Sequence, residues 1–268
     1  MKLVVMMMLI FFGTMANSAE LKIFDAHIHY SHDAVIQVPP QQAVELLRKA
    51  GVSRALVSSS DDDGTQKLLQ AAPDIIVPSL RPYRRRGEIS TWMHDLSVIE
   101  YVEARLAKYT YRALGEFHAY GDDIETPVLQ AIIALAKKHD LVLHAHSDID
   151  AIDRIFKANP QARILWAHSG FESPDQIRDT LRRHANLWSD LAFRSEHGSA
   201  NKVPPQWRAA FTEFPERFMI GTDTFAPERW YYIGEHAAYS RAWLADLPIE
   251  LARKIAHQNA EKLFTNVE

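Results

Sequence analysis

Histidines and acidic residues recur at the ends of short apolar segments in this sequence. The first such segment, FDAHIHY at residues 24–30, carries Asp25, His27 and His29. Alternate residues of an extended strand point to the same face, so the three side chains are expected on one side. Titratable groups are costly to bury without partners. The pattern therefore indicates a site that holds a cation or transfers protons.

Later apolar segments end in the same kinds of residue, namely Glu116, His144, His146, His168 and Asp223. If these segments are strands of a parallel barrel, their carboxyl ends meet at one mouth. Imidazoles and carboxylates that converge there suit zinc, or manganese, nickel or iron. One histidine at a strand end is more often a hydrogen-bonded structural residue, but the joint occurrence favours a metal site.

Eight apolar runs with strand character separate amphipathic segments along the chain. The runs are LKIFDAHIH, VSRALVSS, DIIVPSL, YRALGEF, LVLHAH, ARILWAH, NLWSDLAF and RFMIGTD. Helix signals lie between them, such as Thr126 before Pro127 and Ser173 before Pro174. Strands separated by helices imply a parallel sheet. We therefore predict an α/β fold, a single-domain (β/α)8 TIM barrel over residues 20–268.

An open, doubly wound sheet is the alternative fold. It is disfavoured because no glycine-rich phosphate loop follows any of the eight runs. The last helix is expected to start at Pro248, and residues 40–50 are expected to form an amphipathic helix that ends at Gly51.

The first nineteen residues have the layout of a secretory signal peptide. Lys2 precedes an apolar run from Leu3 to Phe12, which is too short for an ordinary membrane span, and small residues lead to Ala16 and Ala19. We predict a cleavable signal peptide over residues 1–19. The mature protein is then periplasmic or secreted, without membrane contact after cleavage.

Composition excludes several classes of protein. The 268 residues contain no cysteine, so disulfides and a lipid-anchored lipoprotein are excluded. The formal net charge is -4, which does not suggest a nucleic-acid partner. The basic cluster RPYRRRG at residues 81–87 is local and is interpreted as a loop. A small-molecule substrate is the expected partner, and a homodimer is one expected assembly.

Five motifs resemble the metal-dependent amidohydrolase superfamily: DAHIH, LHAH, AHSG, IGTDTF and NAEKLF. The similarity is greatest to the amidohydrolase-related (amidohydrolase 2) branch, which includes aminocarboxymuconate semialdehyde decarboxylase-like and lactonase-like proteins. It covers essentially the whole mature chain. The resemblance implies that His27 and His29 are a metal pair and His144 a further ligand. It also implies that Asp223 ligates the metal and moves protons.

Two points stay open within this resemblance. His144 and His146 lie on the same face of one strand, and the VLHA context favours His144 as the ligand. Glu116 stands where many binuclear relatives carry a carboxylated lysine, and it resembles the metal-ligating glutamate of TatD-type deoxyribonucleases. The cofactor is therefore expected to be a divalent metal ion, zinc first, with one or two per chain and one preferred.

The expected activity is hydrolysis of an ester, lactone or amide bond in a small anionic substrate. Asp223, His168 and Glu116 are the predicted catalytic residues. The predicted substrate-binding residues are Arg81, His146, Arg194 and Trp230, with Arg81 placed to hold a carboxylate. The alternatives are a metal-dependent decarboxylase, a TatD-like phosphoesterase and a non-catalytic binding protein. Short loops favour hydrolysis over decarboxylation.

Overall fold

Eight parallel strands follow one another around the molecule in sequence order, each hydrogen-bonded to the next. The computed structural model describes residues 21–194, 196–198 and 201–264, so the predicted signal peptide lies outside the described residues. The strands are β1 (Ile23–His29), β2 (Val52–Ser58), β3 (Ile76–Leu80), β4 (Ala113–His118), β5 (Val142–His146), β6 (Ile164–Trp166), β7 (Leu187–Asp190) and β8 (Phe218–Met219).

Backbone hydrogen bonds between β1 and the segment around β8 complete the ring. The Ala26 N–H donates to the Ile220 carbonyl, the Asp223 N–H to the His27 carbonyl and the His29 N–H to the Thr224 carbonyl, each at 2.8 Å. The predicted barrel is confirmed, and the open doubly wound sheet is wrong.

Helices follow the strands and pack against them. They are α1 (His32–Gln37), α2 (Pro40–Lys49), α3 (Asp63–Ala71), α4 (Ser97–Lys108), α5 (Pro127–Lys138), α6 (Ile149–Ala158), α7 (Pro174–Arg183), α8 (Pro205–Glu213), α9 (Pro227–Tyr231), α10 (Ile233–Leu244), α11 (Ile249–Arg253) and α12 (Asn259–Phe264). A π-helical turn at Lys254–Gln258 interrupts the predicted last helix, which begins at Ile249. Within the described ranges, none of these helices has the length and apolar character needed to span a bilayer.

The predicted helix starts follow from local hydrogen bonding. The Thr126 hydroxyl accepts from the Leu129 N–H at 3.4 Å, and Pro127 is the first residue of α5. Ser173 does the same for the Gln176 N–H at the start of α7. Both caps satisfy N–H groups that a helix start leaves unpaired.

The barrel interior changes from apolar to polar along its axis. An inner apolar cluster includes Phe24, Ala26, Leu165 and Met219, and Phe264 of α12 packs against it. The outer cluster between strands and helices includes Ile23 and Ile28. The carboxyl ends of the strands are therefore left for the polar residues, as in other barrels of this kind.

Register shifts in β1 and β4 occur where polar residues enter the interior. Between the pairs Asp25–Ala55 and Ile28–Val57, β1 contains one residue more than β2. Between Gly115 and Phe117, β4 contains one residue more than β5, which makes Glu116 the extra residue. Such bulges redirect side chains and are frequent beside active sites. The uniform alternation expected for residues 25–29 is therefore wrong.

Candidate metal centre

Ring nitrogens of His27 and His29 face two carboxylates at the barrel mouth. The two Nε2 atoms are 3.1 Å apart, and the Nε2 of His29 is 3.3 Å from Asp223 Oδ1 and 3.1 Å from Glu116 Oε2. The Nε2 of His27 is 3.7 Å from Asp223 Oδ1 and 3.5 Å from Glu116 Oε1. Ligand atoms at 2.0–2.1 Å from a tetrahedral ion are roughly 3.3 Å apart. The spacing of these four side chains therefore fits a common divalent ion.

The charge of the site also fits a divalent cation. Burial alone would raise the pKa of Glu116 and of Asp223, but the charge of His27 and hydrogen bonds from histidines hold both well below their usual range. Asp190 behaves in the same way, its pKa lowered by His27 and His144 despite burial. Among the described Arg and Lys residues, Arg81 is the one that forms an ion pair with any of the three. Three carboxylates and one guanidinium leave two negative charges for a cation to balance.

His27 responds to the same field with the opposite sign. Burial would lower the pKa of its imidazole, but Asp190, Glu116 and Asp223 together raise it well above the ordinary value. A cationic His27 ring supplies part of the positive charge that balances the carboxylates. A metal ion bound by neutral histidines would supply all of it.

Asp190 contacts two of these histidines and was absent from the sequence-based list. It lies at the end of β7, fully buried, with Oδ2 3.2 Å from His27 Nδ1 and 3.1 Å from His144 Nε2. Its Oδ1 accepts the N–H groups of His168 and Ala192, both at 3.0 Å. The signal in NLWSDLAF was partial, because β7 ends at Asp190 but Leu191, Ala192 and Phe193 continue the apolar run beyond it.

His144 and His146 occupy different depths on β5. The Nδ1 of His146 lies 2.8 Å from Glu116 Oε1 at the mouth, whereas the Nε2 of His144 is bonded to Asp190 below it. Burial, followed by the charge of His27, lowers the pKa of His144 to about 4. This differs from the expectation of His144 as the third ligand, whereas His146 lies beside Glu116, the extra residue of β4, at the barrel mouth.

His168 reaches the site from a turn rather than from a strand. β6 ends at Trp166, and His168 has a left-handed backbone with φ 55° in the 3-10 turn Ala167–Phe171. Its Nδ1 donates to the Ala192 carbonyl at 3.0 Å, which leaves Nε2 for the site, 3.5 Å from Glu116 Oε1. The ligand atoms of His27, His168 and Asp223 lie within 4.8 Å of one another.

Asp25 lies outside the group of candidate ligands and supports the local main chain. Its carboxylate accepts from the His27 N–H at 3.1 Å and from the Thr222 N–H and hydroxyl at 3.0 and 2.7 Å. Burial raises the pKa of Asp25 to about 6 despite these hydrogen bonds. It therefore supports the main chain of β1 rather than an imidazole ring.

A cavity of about 400 Å³ opens above the candidate ligands. Its floor includes His29, Glu116, His146, His168 and Asp223. Arg81 and Arg86 add positive charge to its wall, where Arg86 pairs with Asp33 at 2.9 Å, and Phe225 and Ile89 contribute apolar surface. The volume and mixed lining fit a small organic molecule.

Two predicted substrate contacts do not line this cavity, which corrects the sequence-based assignment. Arg194 is buried and donates to the carbonyls of His168 and Glu172 at 3.2 and 2.7 Å, and it lines a separate cavity of about 220 Å³. Trp230 is fully buried, and its indole N–H donates to the His29 carbonyl at 3.3 Å. Both side chains support the main chain next to site residues instead.

Comparisons with known proteins agree with this architecture. The Amidohydrolase family model (Amidohydro_2) matches residues 24–265. An uncharacterised TIM-barrel protein from Bordetella bronchiseptica has 16% identity and a TM-score of 0.62 over 91% of this chain and 98% of its own. A putative 2-pyrone-4,6-dicarboxylic acid hydrolase from Pseudomonas putida has 16% identity and a TM-score of 0.58 over 93% and 100%.

A probable 2-pyrone-4,6-dicarboxylic acid hydrolase from Acinetobacter baumannii, solved with citric acid bound, has 12% identity and a TM-score of 0.52. The match covers 91% of this chain and 99% of that protein. A search of curated proteins gives no match. The identities support the shared fold, and the family match spans nearly all of the barrel. The chain belongs to the amidohydrolase family and is an enzyme of the amidohydrolase superfamily.

Proposed function

We propose that this enzyme is a metal-dependent hydrolase of small anionic esters, lactones or amides. One observation carries the proposal: the Nε2 atoms of His27 and His29 and the carboxylates of Glu116 and Asp223 are spaced as ligands of one ion would be. These groups lie at the floor of a substrate-sized cavity. Zinc is the proposed metal, because imidazole and carboxylate ligands in compact geometry suit it.

A divalent ion in such a site supplies Lewis-acid chemistry and activates water near neutral pH. Asp223 lines the cavity and stays ionised, so it can take a proton from the attacking water and return it to the leaving group. His168 donates through Nδ1, so its neutral ring presents an Nε2 lone pair that can accept a hydrogen bond and orient the water. Glu116, ionised and ion-paired with Arg81, is proposed as a ligand rather than an acid.

The cavity has a basic side and an apolar side, which supports an anionic substrate. Arg81 and Arg86 follow β3, with Arg86 paired to Asp33 of the same wall, while Phe225 follows β8, three strands away around the ring. We propose that the substrate carboxylate lies toward the arginines. The names of two similar structures, 2-pyrone-4,6-dicarboxylic acid hydrolases, add support for a lactone with carboxylate groups.

One ion is proposed for the main site, and a second position is open. Glu116, His118 and His146 offer ligand atoms within 4.8 Å of one another beside it. A second ion there would favour the TatD-like phosphoesterase, whereas carbon dioxide release would favour a decarboxylase. A signal peptide over residues 1–19 is retained as part of the proposal, so the enzyme would act in the periplasm or outside the cell.

The test combines metal content with activity. The purified protein should contain about one equivalent of zinc, lose ester or lactone hydrolysis with a chelator and regain it with zinc. Asp223→Asn should lower kcat by about 10²-fold or more, as expected for loss of proton transfer. Asp74→Asn, at an exposed ion pair with Arg48, is the control. A metal-free protein with full activity, or carbon dioxide as the product, would contradict the proposal.

A further inference from the structure

We propose that Asp190 is a positioning residue that sets the proton on His27 and orients His168, so that both rings present Nε2 to the metal centre. The inference rests on the proposed metal centre and concerns how it is assembled. It follows from the contacts of one buried carboxylate with residues of three other strand ends.

Ring chemistry gives the first step. A carboxylate accepts hydrogen bonds and does not donate, so the Nδ1 of His27, 3.2 Å from Asp190 Oδ2, carries the proton. In the neutral ring Nε2 then has the free lone pair, and this atom lies 3.1 Å from His29 Nε2. Carboxylates commonly hold metal-ligating histidines in this way, which fixes both tautomer and ring direction.

The same logic removes one nitrogen of His144 from the ligand set. Its Nε2 is 3.1 Å from the same Asp190 Oδ2, so that nitrogen carries a proton and donates. Asp190 Oδ2 therefore receives two imidazole N–H groups. We infer that His144 stabilises the charge of Asp190 and does not bind the ion through Nε2.

The second carboxylate oxygen acts on the segment that carries His168. Asp190 Oδ1 accepts the His168 N–H and the Ala192 N–H, and the Ser169 hydroxyl donates to the Asp190 carbonyl at 2.8 Å. Ala192 in turn accepts the Nδ1–H of His168. His168 and Ser169 have positive φ angles, a costly conformation that needs such support. One residue thus links β1 and the turn after β6.

Asp190→Asn is the decisive variant because asparagine has the same shape but replaces one acceptor oxygen with an NH₂ donor group. If its amide NH₂ faces His27 and His144, it meets two ring N–H groups. If it faces the other way, it meets two backbone N–H groups. The contact between two donors is relieved when His27 moves its proton from Nδ1 to Nε2. Nε2 then no longer offers a lone pair to the metal centre. We expect zinc affinity to fall 10- to 100-fold, measured by competition with a chromophoric chelator.

Asp62→Asn is the matched control. Asp62 is also fully buried, and its Oδ2 accepts from Arg105, from Gln66 at 3.2 Å and from Tyr111 at 2.5 Å, away from the histidines. It should lower the unfolding temperature of the metal-free protein at least as much as Asp190→Asn, yet leave zinc affinity unchanged. Equal zinc affinity in Asp190→Asn and the wild type would overturn the inference.

Two further readouts separate positioning from ligation. At saturating Co²⁺, the visible spectrum of Asp190→Asn should match the wild type because the ligands are the same. His144→Gln should lower metal affinity less than His29→Gln; an equal loss with an altered spectrum would make His144 a ligand and contradict our assignment.

A readout without metal keeps this test separate from the proposed function. At a pH high enough that the metal-free His27 ring is neutral, the ¹⁵N shift of His27 Nδ1 should be that of a protonated nitrogen in the wild type and of an unprotonated one in Asp190→Asn. If the wild type binds no zinc but this change occurs, the hydrolase proposal fails and the positioning role stands. An unchanged ¹⁵N shift contradicts the positioning role.

Discussion

Arg81 and Glu116 form a buried ion pair beside the candidate ligands. Arg81 Nη2 donates to Glu116 Oε2 at 2.8 Å, and Arg81 Nε donates to the Glu116 carbonyl at 3.1 Å. Both side chains are at most one-tenth exposed. The guanidinium therefore holds the bulged residue of β4 by its side chain and its main chain together.

Removal of Arg81 should destabilise the metal-free protein more than the metal-loaded protein. Arg81→Ala leaves Glu116 buried without its guanidinium partner, so we expect the free energy of unfolding without metal to fall by about 3 kcal/mol. Zinc should restore part of this loss because it supplies the missing positive charge. Denaturant unfolding with and without zinc measures both effects. Arg48→Ala, at an exposed pair with Asp74, should change stability by less than about 1 kcal/mol.

Gly115→Ala should prevent stable folding. Gly115 has φ +131°, and a Cβ there would lie 2.1 Å from the His144 carbonyl oxygen. Because that contact is with main chain, we expect a loss of more than about 4 kcal/mol, measured by thermal or denaturant unfolding. Gly87→Ala is the control, since φ is +90° but nothing lies within 4 Å of its added Cβ. Its cost should stay near 1 kcal/mol; similar losses in both variants would argue against a steric role for Gly115.

His197 should contribute to acid sensitivity. Burial lowers its pKa from 6.5 to about 4, and its ring packs against Trp207 and Trp243. Between those pH values the unfolded chain binds a proton that the folded protein excludes. Stability from the neutral ring is therefore complete above pH 6.5 and is lost as the pH falls toward 4.

The loss attributable to this one ring is up to about 3 kcal/mol, at about 1.4 kcal/mol per pKa unit. His197→Phe should reduce the slope of unfolding free energy against pH in this window, measured in denaturant at several pH values. His139→Phe, at an exposed position after α5, should leave the slope unchanged. An identical slope in all three proteins would contradict the prediction.

Phe171 should matter for substrate binding more than for stability. Its ring is 56% exposed and stacks on the His168 ring, with centroids 4.7 Å apart and planes at 17°. Phe171→Ala should change the free energy of unfolding by less than about 1 kcal/mol, because little apolar area is lost from the core. KM should rise several-fold. Tyr232, 59% exposed at the start of α10, is the control: Tyr232→Ala should change neither the free energy of unfolding nor KM. An equal rise in KM in both variants would argue against a role for Phe171 in substrate binding.

The barrel was predictable because its signals are local and repeated. Each strand is a short apolar run, and residues such as Thr126 and Ser173 mark the helix starts. The ends of those strands also placed His27, His29, Glu116 and Asp223 near one point, where the two Nε2 atoms lie 3.1–3.7 Å from the carboxylate oxygens. Their roles in binding and catalysis stay predictions.

The rest of the site depends on features that periodicity does not encode. Register shifts in β1 and β4 change which residues face inward, so simple alternation misplaced Asp25. The VLHA context favoured His144 as the ligand, whereas His146 is the histidine that lies beside Glu116. Trp230 comes after the last strand, yet its indole ring packs in the core against Tyr30. Asp190 was overlooked because it lies inside the apolar run NLWSDLAF in the sequence, whereas the strand itself ends at that residue.

Closure of the ring has a consequence for the binding of the proposed metal ion. The Asp223 N–H donates to the His27 carbonyl, and this backbone bond joins β1 to the segment after β8. These residues are nearly two hundred positions apart in the chain. A nascent polypeptide therefore cannot bring the proposed ligands together until almost all of it has been synthesised, so binding of the proposed ion would be a late event.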